Sequence, residues 1–105
     1  MPTAADAELL REVERVADRV RLAAPRLAGR GSSEAEQLAE IHLVLQQLAD
    51  LAADAERTDR REVPAVGPGV LADQLTVLGR DLAQACSEPS LRAAQELLVA
   101  LRRRL

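Results

Sequence analysis

The chain has 105 residues, a formal net charge of −3 and 48% apolar residues, yet contains no Phe, Tyr or Trp. That length suits one domain spanning residues 1–105 with a real core and little room for a second. The charge is mixed and slightly acidic and there are no aromatics for base stacking, which argues against nucleic acid as a partner. A core without aromatics must be built from Leu, Val and Ala, and the scarcity of β-branched residues argues against a sheet. All 14 basic residues are Arg, and Lys and Asn are absent. Their codons are AT-rich, so the bias points to a bacterial, high-GC genome.

The first periodic segment covers about residues 4–28. Leu9, Val13, Val16, Val20, Ala23 and Leu27 recur at spacings of four and three, with Leu10, Ala17 and Ala24 widening the stripe. This is the coiled-coil-like seam of an amphipathic helix. Pro25 is expected to kink its last turn or to end it near Ala24, and Gly29 and Gly31 to reverse the chain. A second helix is expected over about 33–60. Ser33-Glu34-Ala35-Glu36 reads as a capping box with Ser33 as N-cap. Leu38, Ile41, Leu45, Leu48, Ala52 and Ala55 form its seam, flanked by Val44 and Leu51.

Residues 62–69 read as a linker. The third helix is expected over about 68–86 with Leu71, Leu75, Leu78, Leu82 and Ala85 as its seam, and Pro68 suits its first turn. Ser87-Glu88-Pro89-Ser90 breaks the pattern. A fourth helix over about 90–104 carries Leu91, Ala94, Leu98, Leu101 and Leu105, with Arg102, Arg103 and Arg104 in its last turn, where cations suit the helix dipole. Reflected about Arg30/Gly31, the first two seams match, Leu9 with Ala52 and Val20 with Ile41. Reflected about Glu88, the last two match, Leu71 with Leu105 and Leu82 with Ala94. The expected fold class is all-α, a four-helix up-and-down bundle of two antiparallel hairpins, the first longer than the second.

Chemistry-bearing residues are few. His42 is the only histidine. Glu40-Ile41-His42, with Gln47 further on, resembles the phospho-acceptor helix of one histidine-kinase class. Leu43, however, stands where an acid is expected, and there is no room for an ATP-binding domain. His42 therefore reads as a flanking surface residue. Cys86 is alone, excludes an internal disulfide and reads as a small, partly buried hydrophobe. The pairs Glu8/Glu12, Glu36/Glu40 and Asp50/Asp54 lie i, i+4 and read as solvated faces, since the Glu-x-x-His motifs of a di-metal centre are missing. Ser32, Ser33, Ser87 and Ser90 are explained by caps and turns.

Three expectations concern surfaces. If the C-termini of helices two and four share one end, Arg57, Arg60 and Arg61 approach Arg102, Arg103 and Arg104 as a patch for an anion or acidic partner. Leu43, Val77 and Val99 lie off their seams and form candidate interaction positions. Ala-rich seams could leave a groove for a small apolar ligand. The leading expectation is a non-enzymatic protein–protein interaction module, an adaptor or regulatory bundle that self-associates as a homodimer. No catalytic residues, cofactor or metal are expected. The start of the chain lacks a basic then apolar leader, so a cytoplasmic location without membrane contact is the default.

Overall fold

A computed structural model describes residues 3–105, and all its regular structure is helical: α1 (Ala4–Leu27), α2 (Ser32–Glu56), α3 (Pro68–Ala85) and α4 (Glu88–Arg104). The expected seams form the core except at two helix ends, where Ala55 is exposed beyond the last buried turn of α2 and Ala85 is only half-buried at the end of α3. Leu9, Val13, Val16, Val20 and Leu27 are buried with Ile41, Leu45, Leu48, Leu71, Leu75, Leu82, Leu91, Leu98 and Leu101. Ala23, Leu38, Leu78 and Leu105 pack at its edge.

Helix ends depart from expectation for local reasons. At the start of α1, the Asp6 amide donates to Thr3 Oγ1 at 3.1 Å and the Thr3 amide donates to the Asp6 carboxylate at 2.9 Å, a capping box that the sequence pattern had not suggested. Pro25 stays inside α1, where its ring costs one bond in the last turn and the helix runs on to Leu27. The box expected at Ser33 does not form. Gly31 is the N-cap, and the Glu34 carboxylate folds back into the space that a Cβ at residue 31 would take. The second helix stops at Glu56 rather than Arg60. Arg57 adopts φ 57° and ψ 38°, its amide donates to the Asp54 carbonyl at 3.2 Å, and the Thr58 amide donates to the Ala53 carbonyl at 2.9 Å. This is a Schellman termination carried by a non-glycine residue. Pro89 is accommodated in the first turn of α4, so that helix begins at Glu88, earlier than expected.

The bundle consists of the two antiparallel hairpins, α1–α2 and α3–α4, the first with the longer helices. Its principal extents are 41 × 27 × 18 Å. The closest packing, however, is not within the hairpins. The first helix lies against α3 and α4, the second also lies against α3 and α4, and consecutive helices sit across the bundle from one another. The mirrored seams therefore meet through the core, while lateral contacts join one hairpin to the other.

Particular contacts fix the directions. Val13 packs on Gly79 and Arg21 reaches Asp73, so α3 runs antiparallel to α1. Arg104 pairs with Glu40, while Asp54 and Ala93 line one groove, so α4 runs antiparallel to α2. It follows that α2 and α3 are parallel neighbours, and residues 57–67 must climb back along the bundle. This segment forms a strap. The Val63 amide donates to Gln46 Oε1 at 2.8 Å, and Gln46 Nε2 donates to the Arg61 carbonyl at 2.9 Å. Gln74 Nε2 donates to the Pro64 carbonyl at 3.2 Å, and Val63 is buried.

Gly79 sets the spacing between α1 and α3. A Cβ there would sit 2.7 Å from Val13 Cγ2 and 3.0 Å from Cγ1. Val13 cannot swing aside, because a β-branched side chain in a helix has one strongly preferred rotamer. Gly79→Ala should therefore lower stability by about 1–2 kcal/mol in denaturant titration, although alanine ordinarily gains about 1 kcal/mol over glycine in a helix. In the double variant with Val13→Ala, the loss should be smaller than the sum of the two single losses; strict additivity would contradict the clash. At the other termination, Arg57→Gly should stabilise by about 0.5–1 kcal/mol, since glycine enters the left-handed region freely. Thermal unfolding by circular dichroism would register this as a midpoint rise of a few degrees.

Candidate interaction surface

The six arginines are not brought together. Because α2 and α4 are antiparallel neighbours, their C-termini lie at opposite ends of the bundle, and the convergence behind the anion-patch expectation is absent. Arg60 donates to both Asp54 carboxylate oxygens, at 3.0 and 2.7 Å, and lies 3.9 Å from Asp50. The hydrogen bond from Arg60 holds the Asp54 carboxyl below its usual range, and the same pairing raises Arg60. Arg104 meets Glu40 at 3.1 Å. Arg57, Arg61 and Arg103 are exposed.

Arg102 has a different role, which corrects the reading of Glu8/Glu12 as a solvated pair. Glu12 is buried within the α1 seam at 1% exposure. Arg102 Nε donates to both its carboxylate oxygens, at 2.9 and 3.2 Å, and Arg15 stands 3.8 Å away. This pair crosses from α1 to the last turn of α4. Nothing local to Glu12 marks it as buried, because its partner lies at the far end of the chain. Glu40, Asp50 and Asp54 are likewise engaged with arginines rather than merely solvated.

Of the expected interaction positions, Leu43 and Val77 do face outward, at 59% and 56% exposure, while Val99 is half-buried beside Glu8. Leu22 (81%) and Val70 (50%) are further exposed apolar residues that the seam analysis did not single out. Val70 and Val77 are seven residues apart and share one stripe of α3. His42 is half-buried beside the α2 seam. Cys86, also half-buried, donates its Sγ–H to the Leu51 carbonyl at 3.8 Å, and burial pushes its thiol up from the ordinary range. Among the described residues, no His, Cys, Asp and Glu converge in a group that could hold a metal, and no helix is long and apolar enough to cross a membrane.

The surface feature that sequence reasoning missed lies along α4. The second and fourth helices approach each other less closely than the other lateral pairs. Between them is a groove of about 520 Å³ floored by Leu51, Leu97, Ala93 and Ala100 and rimmed by Asp50, Asp54, Glu96 and Arg60. A second groove of about 510 Å³ lies on the α1 side of the same helix, where Val99, Glu8, Arg92 and Arg103 join Glu96 and Ala100. Ala93 and Ala100 are seven residues apart, a spacing that puts both on one face. What that face borders depends on which helices flank α4, and periodicity does not encode this.

Comparison of the chain with protein-family models, with curated proteins and with solved structures returned no match.

The Glu12–Arg102 pair yields a direct test. Removing one member leaves a buried charge unpaired, whereas replacing both with apolar groups removes the desolvation cost as well. Arg102→Ala should lower unfolding stability by about 3 kcal/mol. The double variant Glu12→Leu/Arg102→Met should recover most of that loss in the same denaturant titration. A double variant as unstable as the single one would mean that the pair's contribution is not electrostatic.

Proposed function

We propose that this chain is a non-catalytic protein–protein interaction module that self-associates and offers its outer helix faces to a second copy or to another protein. The observation that carries the reading is the face of α4, where the small Ala100 borders two open grooves and Ala93 lines the first of them. A helix laid against such a face finds an apolar floor with charges of both signs at the rim, which suits helix-in-groove recognition. The exposed Leu43 of α2 and the Val70–Val77 stripe of α3 offer further apolar footholds. The pairing of Arg60, Arg102 and Arg104 with carboxylates favours this reading over an anion-binding patch.

A second reading has one observation in its favour. The α2–α4 groove, at about 520 Å³, falls in the size range of small-molecule sites. Saturable binding of a solvatochromic apolar dye to the folded chain, abolished by Leu97→Glu, would support it.

The test of the leading reading is absolute mass by light scattering, from low to high micromolar protein. The mass should rise from 11.3 kDa toward twice that value. Ala100→Arg and Leu43→Asp replace exposed residues, so each should keep the helical circular dichroism signal while weakening association about tenfold or more. A mass of 11.3 kDa at every concentration would remove self-association and leave a different protein or a bound small ligand as the occupant of these surfaces.

A further inference from the structure

We infer that two copies of this chain can exchange their α3–α4 hairpins, forming a dimer in which each bundle is completed by the partner's second hairpin. The inference goes beyond association through outer faces and does not depend on it. Three observations carry it.

The first is where the core is made. Lateral packing joins α1 and α2 to α3 and α4, while α3 and α4 scarcely approach one another and α1 and α2 do so sparsely. The polar contacts follow the same rule. Glu12–Arg102, Arg21–Asp73, Glu40–Arg104, the Gln37 side chain with the Arg104 carbonyl, and Cys86 with the Leu51 carbonyl all cross between hairpins. Among the described residues only Arg26–Gln37 joins two helices of one hairpin through side chains. A hairpin separated from its own chain therefore leaves almost its whole interface behind. It recovers the same interface, contact for contact, on a second copy, which is the condition under which exchange of an element is inexpensive.

The second is the length of the connection. From the end of α2 to the start of α3 the chain must climb about 25 Å at 1.5 Å per helical residue, and also step sideways to the neighbouring helix. The twelve Cα steps from Glu56 to Pro68 reach about 40–43 Å when extended. The strap suffices with a few residues to spare, and one shorter by about five residues would not close within the chain.

The third is how lightly the strap is held. Its ties are the Gln46 and Gln74 side chains, the Arg60 ion pairs, the Thr58 hydroxyl on the Ala53 carbonyl, the buried Val63 and the half-buried Val66. The tie at Gln74 is half made, because its Oε1 is buried without a hydrogen-bond partner. These contacts alone are peculiar to the closed monomer, so they are all that exchange must sacrifice.

The close approach of α1 and α3 supplies the test. A Cβ at residue 79 would lie 3.3 Å from the Val13 Cβ, near the spacing of a disulfide. In a chain carrying Val13→Cys, Gly79→Cys and Cys86→Ser, oxidation joins the two new cysteines. Within a closed monomer the bond is intrachain. In an exchanged dimer it links two chains, which then run at twice the chain mass on a denaturing gel without reductant. Association through outer faces leaves the bond intrachain even when light scattering reports a dimer, so the two kinds of self-association are told apart. The 105-residue chain is refolded from denaturant at low and at high micromolar concentration and then oxidised. We expect intrachain bonds at the low concentration and an interchain fraction at least ten times larger at the high one. Intrachain bonds alone at every concentration overturn the proposal. A second variant lacking residues 58–62 keeps seven steps, about 23–25 Å, too short to climb the bundle and cross to α3. It should be a dimer with interchain bonds throughout; a folded monomer with intrachain bonds would equally overturn the inference.

Discussion

The structure rests on contact between hairpins. Each helix carries one apolar seam of Leu, Val and Ala, and each seam is buried mainly against the two helices of the other hairpin. Without aromatic side chains, no single residue reaches far across the core. The helices must come close, and at Gly79 against Val13 they do so to the point where a Cβ would not fit. The Glu12–Arg102 pair acts at the same kind of boundary. A buried carboxylate on α1 is tolerated only where the last turn of α4 presents its arginine, so the pair ties the register of one hairpin to the other.

Much of this was legible from residue spacing. The helices, their seams and the division into a longer and a shorter hairpin follow from apolar residues at intervals of three and four. Helix ends were read less well because they depend on single local conformations. Arg57 takes a left-handed backbone usually left to glycine, and Glu34 folds over Gly31 where Glu36 had been expected to cap. The mutual orientation of the hairpins was not legible. A seam records that a helix is buried on one side but not what buries it, and the reflection symmetry of consecutive seams is equally compatible with laterally or diagonally placed neighbours.

The surface reading shared that weakness. The helical angles of Leu43 and Val77 suffice to place them outward, and they face outward. Val99 is half-covered because α1 flanks α4, and the six arginines divide because α2 and α4 run in opposite directions. The grooves beside α4 and the burial of Glu12 have a common origin, since each is created by residues distant in sequence. They become visible only once the order of helices around the bundle is known.

That order also has a consequence in time. A hairpin whose helices pack on each other can settle as soon as it leaves the ribosome, but α1 and α2 find their lateral partners only in residues 68–105. At about 5–20 residues per second, those 38 residues take about 2–8 seconds to synthesise. Throughout that interval each nascent chain carries an open apolar furrow, and on a polysome several such chains lie near one another. The arrangement that completes the finished bundle thus leaves the apolar seams of its first half without their lateral partners while it is being made.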